Sequence, residues 1–293
     1  MGEDDSIHIE FEESMFGRSQ SLRLIREDIV PFMEIREIGA RQILVYMGHL
    51  YKYLKEEDRT DCISFVDPGH LPTCPLDSNG SHLSQHISNQ LEAVCRDSVC
   101  LIPYNTGYHW ILTIVNVAEN MIYLLDSTKN RCRDDAWKMI VMNGVKLYNA
   151  SRGIPKWPGF KQLTGNLKQS GGVECGYYVM RYMKEIVECE VLRVETMFAG
   201  CVKNKAYSQE QFDEVRSEWS EFIYSHNSMN ELLYERLNLF EMNFYIDPDC
   251  QNEFDTEWGS EFYLQEVREE NFLRIVSELR AFDNLLELYA DQL

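Results

Sequence analysis

The chain has 293 residues, 44% of them hydrophobic, and a formal net charge of −20; that suffices for one large domain plus an appendage, or for two domains. It holds no apolar run of about 18 residues and no basic-then-apolar leader, so neither a membrane span nor secretion is expected. The acids crowd the ends, with −5 over residues 1–30 and −12 over 227–293 against −3 between them; such ends argue against a nucleic-acid partner, and they suit a basic protein or a plain solvated surface.

Residues 1–26 are polar and acidic with few apolar anchors, which predicts a flexible arm. One folded domain is expected over 27–226. Ile43, Tyr46, Met47, Leu50 and Leu54 recur at helical spacing, giving an amphipathic helix that ends near Glu57. Ile63 to Pro68 reads as a short strand running into a turn, and 69–82 as a surface loop. His70, His82 and His86 come without a matching cysteine or carboxylate cluster, so they read as surface histidines and no metal is expected. A helix is expected over 83–96 and a strand over Val99 to Ile102. Two further strands follow, Ile111 to Val115 and Met121 to Asp126, joined at Ala118-Glu119-Asn120. Asp134 and Asp135 open a helix with Trp137, Ile140, Val141, Val145 and Tyr148 on one face, the two acids suiting the positive end of its dipole. A Pro- and Gly-containing loop spans 151–160, a strand is expected over 161–168, and helices over 175–189 and Gln209 to Ile223. The acidic extension 227–293 reads as mostly helical, irregular between Phe244 and Glu257, and free to pack on the domain or to bind a partner.

The chemistry concentrates at Lys168-Gln169-Ser170-Gly171-Gly172-Val173-Glu174-Cys175-Gly176. The two glycines permit a sharp turn, and Tyr178, Val179, Tyr182, Met183 and Ile186 then mark one face of a helix. Cys175 falls in the first turn of that helix, where unpaired N–H groups and the dipole favour a thiolate. The nine cysteines are odd in number and lack zinc-ligand spacing. They read as reduced thiols of a nuclear or cytoplasmic protein, mostly small buried hydrophobes, with only Cys175 in reactive surroundings. A nucleophilic cysteine needs a base and a group to orient that base. His109 begins one strand of the hairpin and Asp126 ends the other, so pairing sets them side by side. Each assignment has a plainer rival: a buried helix cysteine, a satisfied strand-end histidine, a turn aspartate.

His109-Trp110, then Leu125-Asp126-Ser127, then Gln169 six places before Cys175-Gly176 together resemble the ubiquitin-like-protein-specific (SUMO/sentrin-type) cysteine protease family over roughly residues 27 to 190. The run Glu174 to Arg181 is similar to the plant transposon-associated branch. The resemblance implies an α+β, papain-like fold: a central mixed or antiparallel sheet flanked by helices, with the nucleophile at a helix N-terminus. It implies peptidase or isopeptidase activity with Cys175 as nucleophile, His109 as base, Asp126 as orienter and the Gln169 amide in the oxyanion hole. No cofactor or metal is implied. The partner is a SUMO-like modifier or its conjugates, cut after glycine. Trp110 is implied as one wall of the slot that grips the substrate tail. The family's opposite wall, a Trp in a Trp-Leu-Asn-Asp run, aligns with Glu37-Ile38-Gly39-Ala40, which bears on modifier recognition rather than on the chemistry. Three functions compete: an active protease of ubiquitin-like modifiers, a transposon-derived peptidase with another protein substrate, and a non-catalytic binding module on the same fold.

Overall fold

Long apolar runs make the centre of this molecule. In the computed structural model, which describes residues 6–71, 80–94, 98–128, 135–154, 156–199 and 206–226, the strand Trp110–Asn116 is buried at every position. A strand covered on both faces reads as a continuous apolar run rather than an alternating one. This strand is β5 of a five-stranded sheet ordered β3-β4-β5-β6-β7. The others are β3 (Ile63–Phe65), β4 (Val99–Asn105), β6 (Met121–Asp126) and β7 (Gly159–Gln162). The three central strands pair antiparallel, and β3 and β7 flank them in parallel. The sheet is therefore mixed.

One sheet face carries Cys100, Ile102, Tyr104, Ile111, Val115, Ile122 and Leu124. It packs on α4 (Ser81–Val94) and α5 (Asp135–Ser151), which bring Ile87, Leu91, Trp137, Ile140, Val141 and Val145. The Trp137 ring stacks on Tyr104 at 3.7 Å between centroids, and its indole N–H donates to Thr113 Oγ1 at 2.9 Å. A buried indole thus finds the partner it needs. On β5 also packs α6 (Cys175–Glu188), which in turn meets α3 (Ala40–Glu56).

Helix α6 is buried along nearly its whole length, Arg181 and Lys184 included. Buried cations require partners. They find Glu214 and Glu218 on α8 (Gln209–His226): Arg181 pairs with Glu214, and Lys184 donates to Glu218 Oε1 at 2.5 Å. Tyr46 of α3 donates to the other oxygen of Glu218 at 2.7 Å.

Three expectations need correcting. Residues 7–24 were expected within a flexible arm. They form β1 (Ile7–Phe11), α1 (Glu13–Phe16) and β2 (Gln20–Leu24), followed by α2 (Arg26–Met33). The few apolar residues there suffice because they are spent inward: Ile9, Phe11, Met15, Phe16 and Leu24 are all buried. The strand expected over 161–168 is β7, which ends at Gln162. Beyond it β6 has little left to pair with, and Leu163 N–H to Leu124 O is the last ladder-like bond. Of the four described cysteines, Cys100 and Cys175 are buried, but Cys62 is exposed and Cys189 partly so.

The short helix α7 (Val194–Met197) completes the elements. Residues His8–Phe222 form one compact unit. The sheet and the candidate site residues belong to it. The extension 227–293 and Cys74, Cys95, Cys132, Cys201 and Cys250 lie outside the described residues. Among the described residues no helix is long and apolar enough to cross a membrane.

Candidate active site

The hairpin β5–β6 places its two polar ends together. Ile111 lies opposite Asp126 in the ladder, so His109, two residues earlier on the same strand end, stands beside that carboxylate. His109 Nε2 meets Asp126 Oδ1 at 2.7 Å. Asp126 is fully buried, and the same oxygen accepts two more bonds, from the Thr128 N–H at 2.9 Å and the Thr128 hydroxyl at 2.8 Å. These donors satisfy a buried carboxylate that would otherwise be costly to leave unpaired. The Asp126-Ser127-Thr128 turn is an Asx-turn, in which the side chain itself closes the backbone.

Cys175 is the first residue of α6, only 5% exposed, and its side chain acts on the His109 imidazole, raising its pKa. With Nε2 on the carboxylate, Nδ1 is the nitrogen left for the sulfur. Burial alone would lower the His109 pKa. The bonds to Asp126 and Cys175, and the negative charge on both, outweigh it and push the imidazole up to about 9. The ring thus lies between the Asp126 carboxylate and the Cys175 side chain, the order in which a nucleophile, a base and its orienter would stand.

Gln169 reaches the same region from the loop before α6. Its backbone N–H donates to Ser127 O at 2.9 Å. Its side-chain carbonyl accepts from the Ser127 hydroxyl at 2.5 Å, and its NH₂ donates to Gly171 O at 2.9 Å. One amide N–H stays open for another acceptor.

Trp110 is 4% exposed. Its indole N–H donates to Ile38 O at 2.8 Å, which ties the start of β5 to the segment before α3. Gly176 sits in the same corner: a Cβ there would lie 2.4 Å from Ile38 Cγ1 and 3.5 Å from Trp110 Cδ1. Only a residue without a side chain lets α6 approach so closely. Glu37 is exposed.

Two residues of this neighbourhood escaped the sequence reading. Asn166, buried, donates to Asp126 O and to the Tyr182 hydroxyl, both at 2.8 Å. Lys168 Nζ donates to the same Asp126 carbonyl at 2.5 Å and to Asn166 Oδ1 at 3.2 Å. Burial lowers the Lys168 pKa, and the Asp126 charge pulls the other way. Both fall in the stretch 161–168 that reads as a strand, whose residues need no side-chain bonds. The Asp-Ser-Thr turn signal was the available hint that β6 ends at Asp126 and needs tethers from elsewhere.

Cys175, His109, Asp126 and Gln169 therefore converge from two strand ends, a loop and a helix start. A family model described as the Ulp1 protease family, C-terminal catalytic domain, matches residues 77–230. Among solved structures, the chain is similar to one described as a de-sumoylating protease, at 14% identity, covering 82% of this chain and 98% of that one with a TM-score of 0.53. It is similar also to the SUMO protease Ulp1 with its catalytic cysteine oxidized to a sulfonic acid, at 14% identity, 69% and 84% coverage and a TM-score of 0.51. At such identities the likeness is one of fold. Comparison with curated proteins gives no match. The match to the family model covers more than half of the chain and, with the papain-like α+β fold, makes this protein a cysteine peptidase of the Ulp1 protease family.

Proposed function

We propose that this peptidase cleaves after the C-terminal glycine of a SUMO-like modifier, either in a precursor or at an isopeptide bond to lysine. One observation carries the catalytic half: His109 Nε2 meets the buried Asp126 carboxylate at 2.7 Å, in a ring whose pKa the Cys175 side chain also raises. The Cys175 thiolate attacks the glycine carbonyl. The oxyanion that forms is held by the Cys175 N–H at the start of α6 and by the open N–H of Gln169. His109 gives its proton to the leaving amine, and the amine departs to leave a thioester. Water, deprotonated by His109, then hydrolyses the thioester and frees the glycine carboxylate. Asp126 keeps the ring oriented through both steps.

The substrate half rests on the family and on the solved structures named as SUMO proteases. Trp110 backs the slot for the modifier's tail; being almost covered, it offers an edge that suits residues without side chains. With Glu37 where the family has tryptophan, the slot has one aromatic wall, so affinity for SUMO itself is expected to be modest. The acidic extension 227–293 suits a basic protein partner, on its charge alone.

A panel of ubiquitin-like modifiers with an electrophilic C-terminal glycine tests the reading. The wild type is expected to form a covalent adduct with a SUMO probe, and Cys175→Ala none. Labelling by small thiol reagents but by no modifier would remove the substrate half. A Cys175 whose reactivity is unchanged by His109→Ala would remove the catalytic half.

A further inference from the structure

We propose that Tyr108 recognises the leaving side of the substrate, receiving the part of a conjugated protein that flanks the modified lysine, with preference for a basic neighbour. The inference rests on the isopeptidase reading above. Tyr108 is 98% exposed, and among the described residues it has no hydrogen bond, ion pair or ring contact. An aromatic ring left wholly in water forgoes the large gain that burial would bring. Nothing in the fold calls for it at this position.

The turn that presents it is held firmly. Gly107 takes a φ of +107°, a conformation open to glycine. Its N–H donates to Asn105 Oδ1 at 2.8 Å. The Thr106 N–H and hydroxyl both donate to His109 O, at 2.9 and 3.1 Å. The ring therefore projects from a fixed backbone, one peptide unit, about 3.8 Å between Cα atoms, from His109.

The chemistry decides which half of the substrate meets it. The imidazole must protonate the leaving nitrogen, so it lies on that side of the scissile bond. The acyl half lies toward Gln169 and the start of α6. Tyr108, one residue before the imidazole and fully exposed, is then within reach of whatever the nitrogen belongs to. In an isopeptide this is a lysine on another protein. A phenol ring can pack along the stem of a neighbouring lysine or arginine and take the cation over its face.

The test uses two substrates with the same acyl half: SUMO as its C-terminal methyl ester, and SUMO joined through an isopeptide to a Lys-Arg peptide. The readout is the ratio of kcat/KM for isopeptide over ester. Tyr108→Ala is expected to lower this ratio about tenfold, as for an interface aromatic of middling importance, and Tyr108→Phe to restore it. A ratio unchanged by Tyr108→Ala, or equal losses on both substrates, overturns the inference and leaves the proposed function standing. A wild type that cleaves neither substrate overturns both.

Discussion

The hairpin that carries His109 and Asp126 and the loop that leads through Gln169 to Cys175 are held by different kinds of bond. The hairpin is a ladder: every residue from Ile111 to Asn116 pairs with β6, and the strands are buried on both faces. The loop from Leu163 to Glu174 has almost no ladder. It is tethered by Asn166 and Lys168 on the Asp126 carbonyl and by Gln169 on Ser127, with Gly171 and Gly172 exposed. Ladder bonds fix the proposed base and its orienter as part of the core. Side-chain tethers fix the proposed oxyanion donor one bond at a time, so its placement is the easier of the two to disturb.

That contrast can be broken at its strongest point first. Asp126→Asn keeps the shape but lets the amide present an N–H where the imidazole needs an acceptor, and kcat is expected to fall about a thousandfold or more in steady-state assays. A loss under tenfold would mean that the ladder alone orients His109. Gln169→Ala removes a single donor from the loop side and is expected to cost about a hundredfold in kcat, with KM little changed. If KM rises and kcat holds, Gln169 is a binding residue instead. The smallest effect is that of pH. With the imidazole at about 9, kcat/KM is expected to decline above pH 9, about tenfold per pH unit, as the proton for the leaving amine is lost. The sign for stability is the same. A histidine raised from its ordinary 6.5 contributes fully to folding below about pH 6.5, and that contribution is withdrawn as pH climbs through about 9. Asp126→Asn should move the alkaline limb downward, since one of the charges holding the proton is gone.

Sequence alone exposed the ladder better than the tethers, for physical reasons. Trp110 to Val115 and Met121 to Asp126 are local patterns, and a hairpin with ends in register follows from their lengths and the short turn. The helix after Cys175 announced itself by the spacing of Tyr178, Val179, Tyr182, Met183 and Ile186. Asn166 and Lys168 act on a carbonyl some forty residues away in the chain, and no periodicity marks a residue whose partner is a backbone atom. The N-terminal elements were hidden by their economy: five buried apolar residues among 7–24 hold two strands and a turn of helix, and a polar average conceals them. The exposure of Tyr108 has no sequence signature, because exposure is a property of the fold.

The contact at Gly176 reaches further than its size. The hydrogen that stands there in place of a methyl group sets how far the central helix can advance toward Ile38. The proposed nucleophile begins that helix, so its position is gauged against a segment that has no part in the proposed bond making. Any drift of that segment would be transmitted, nearly undiminished, to the distance across which the sulfur must strike.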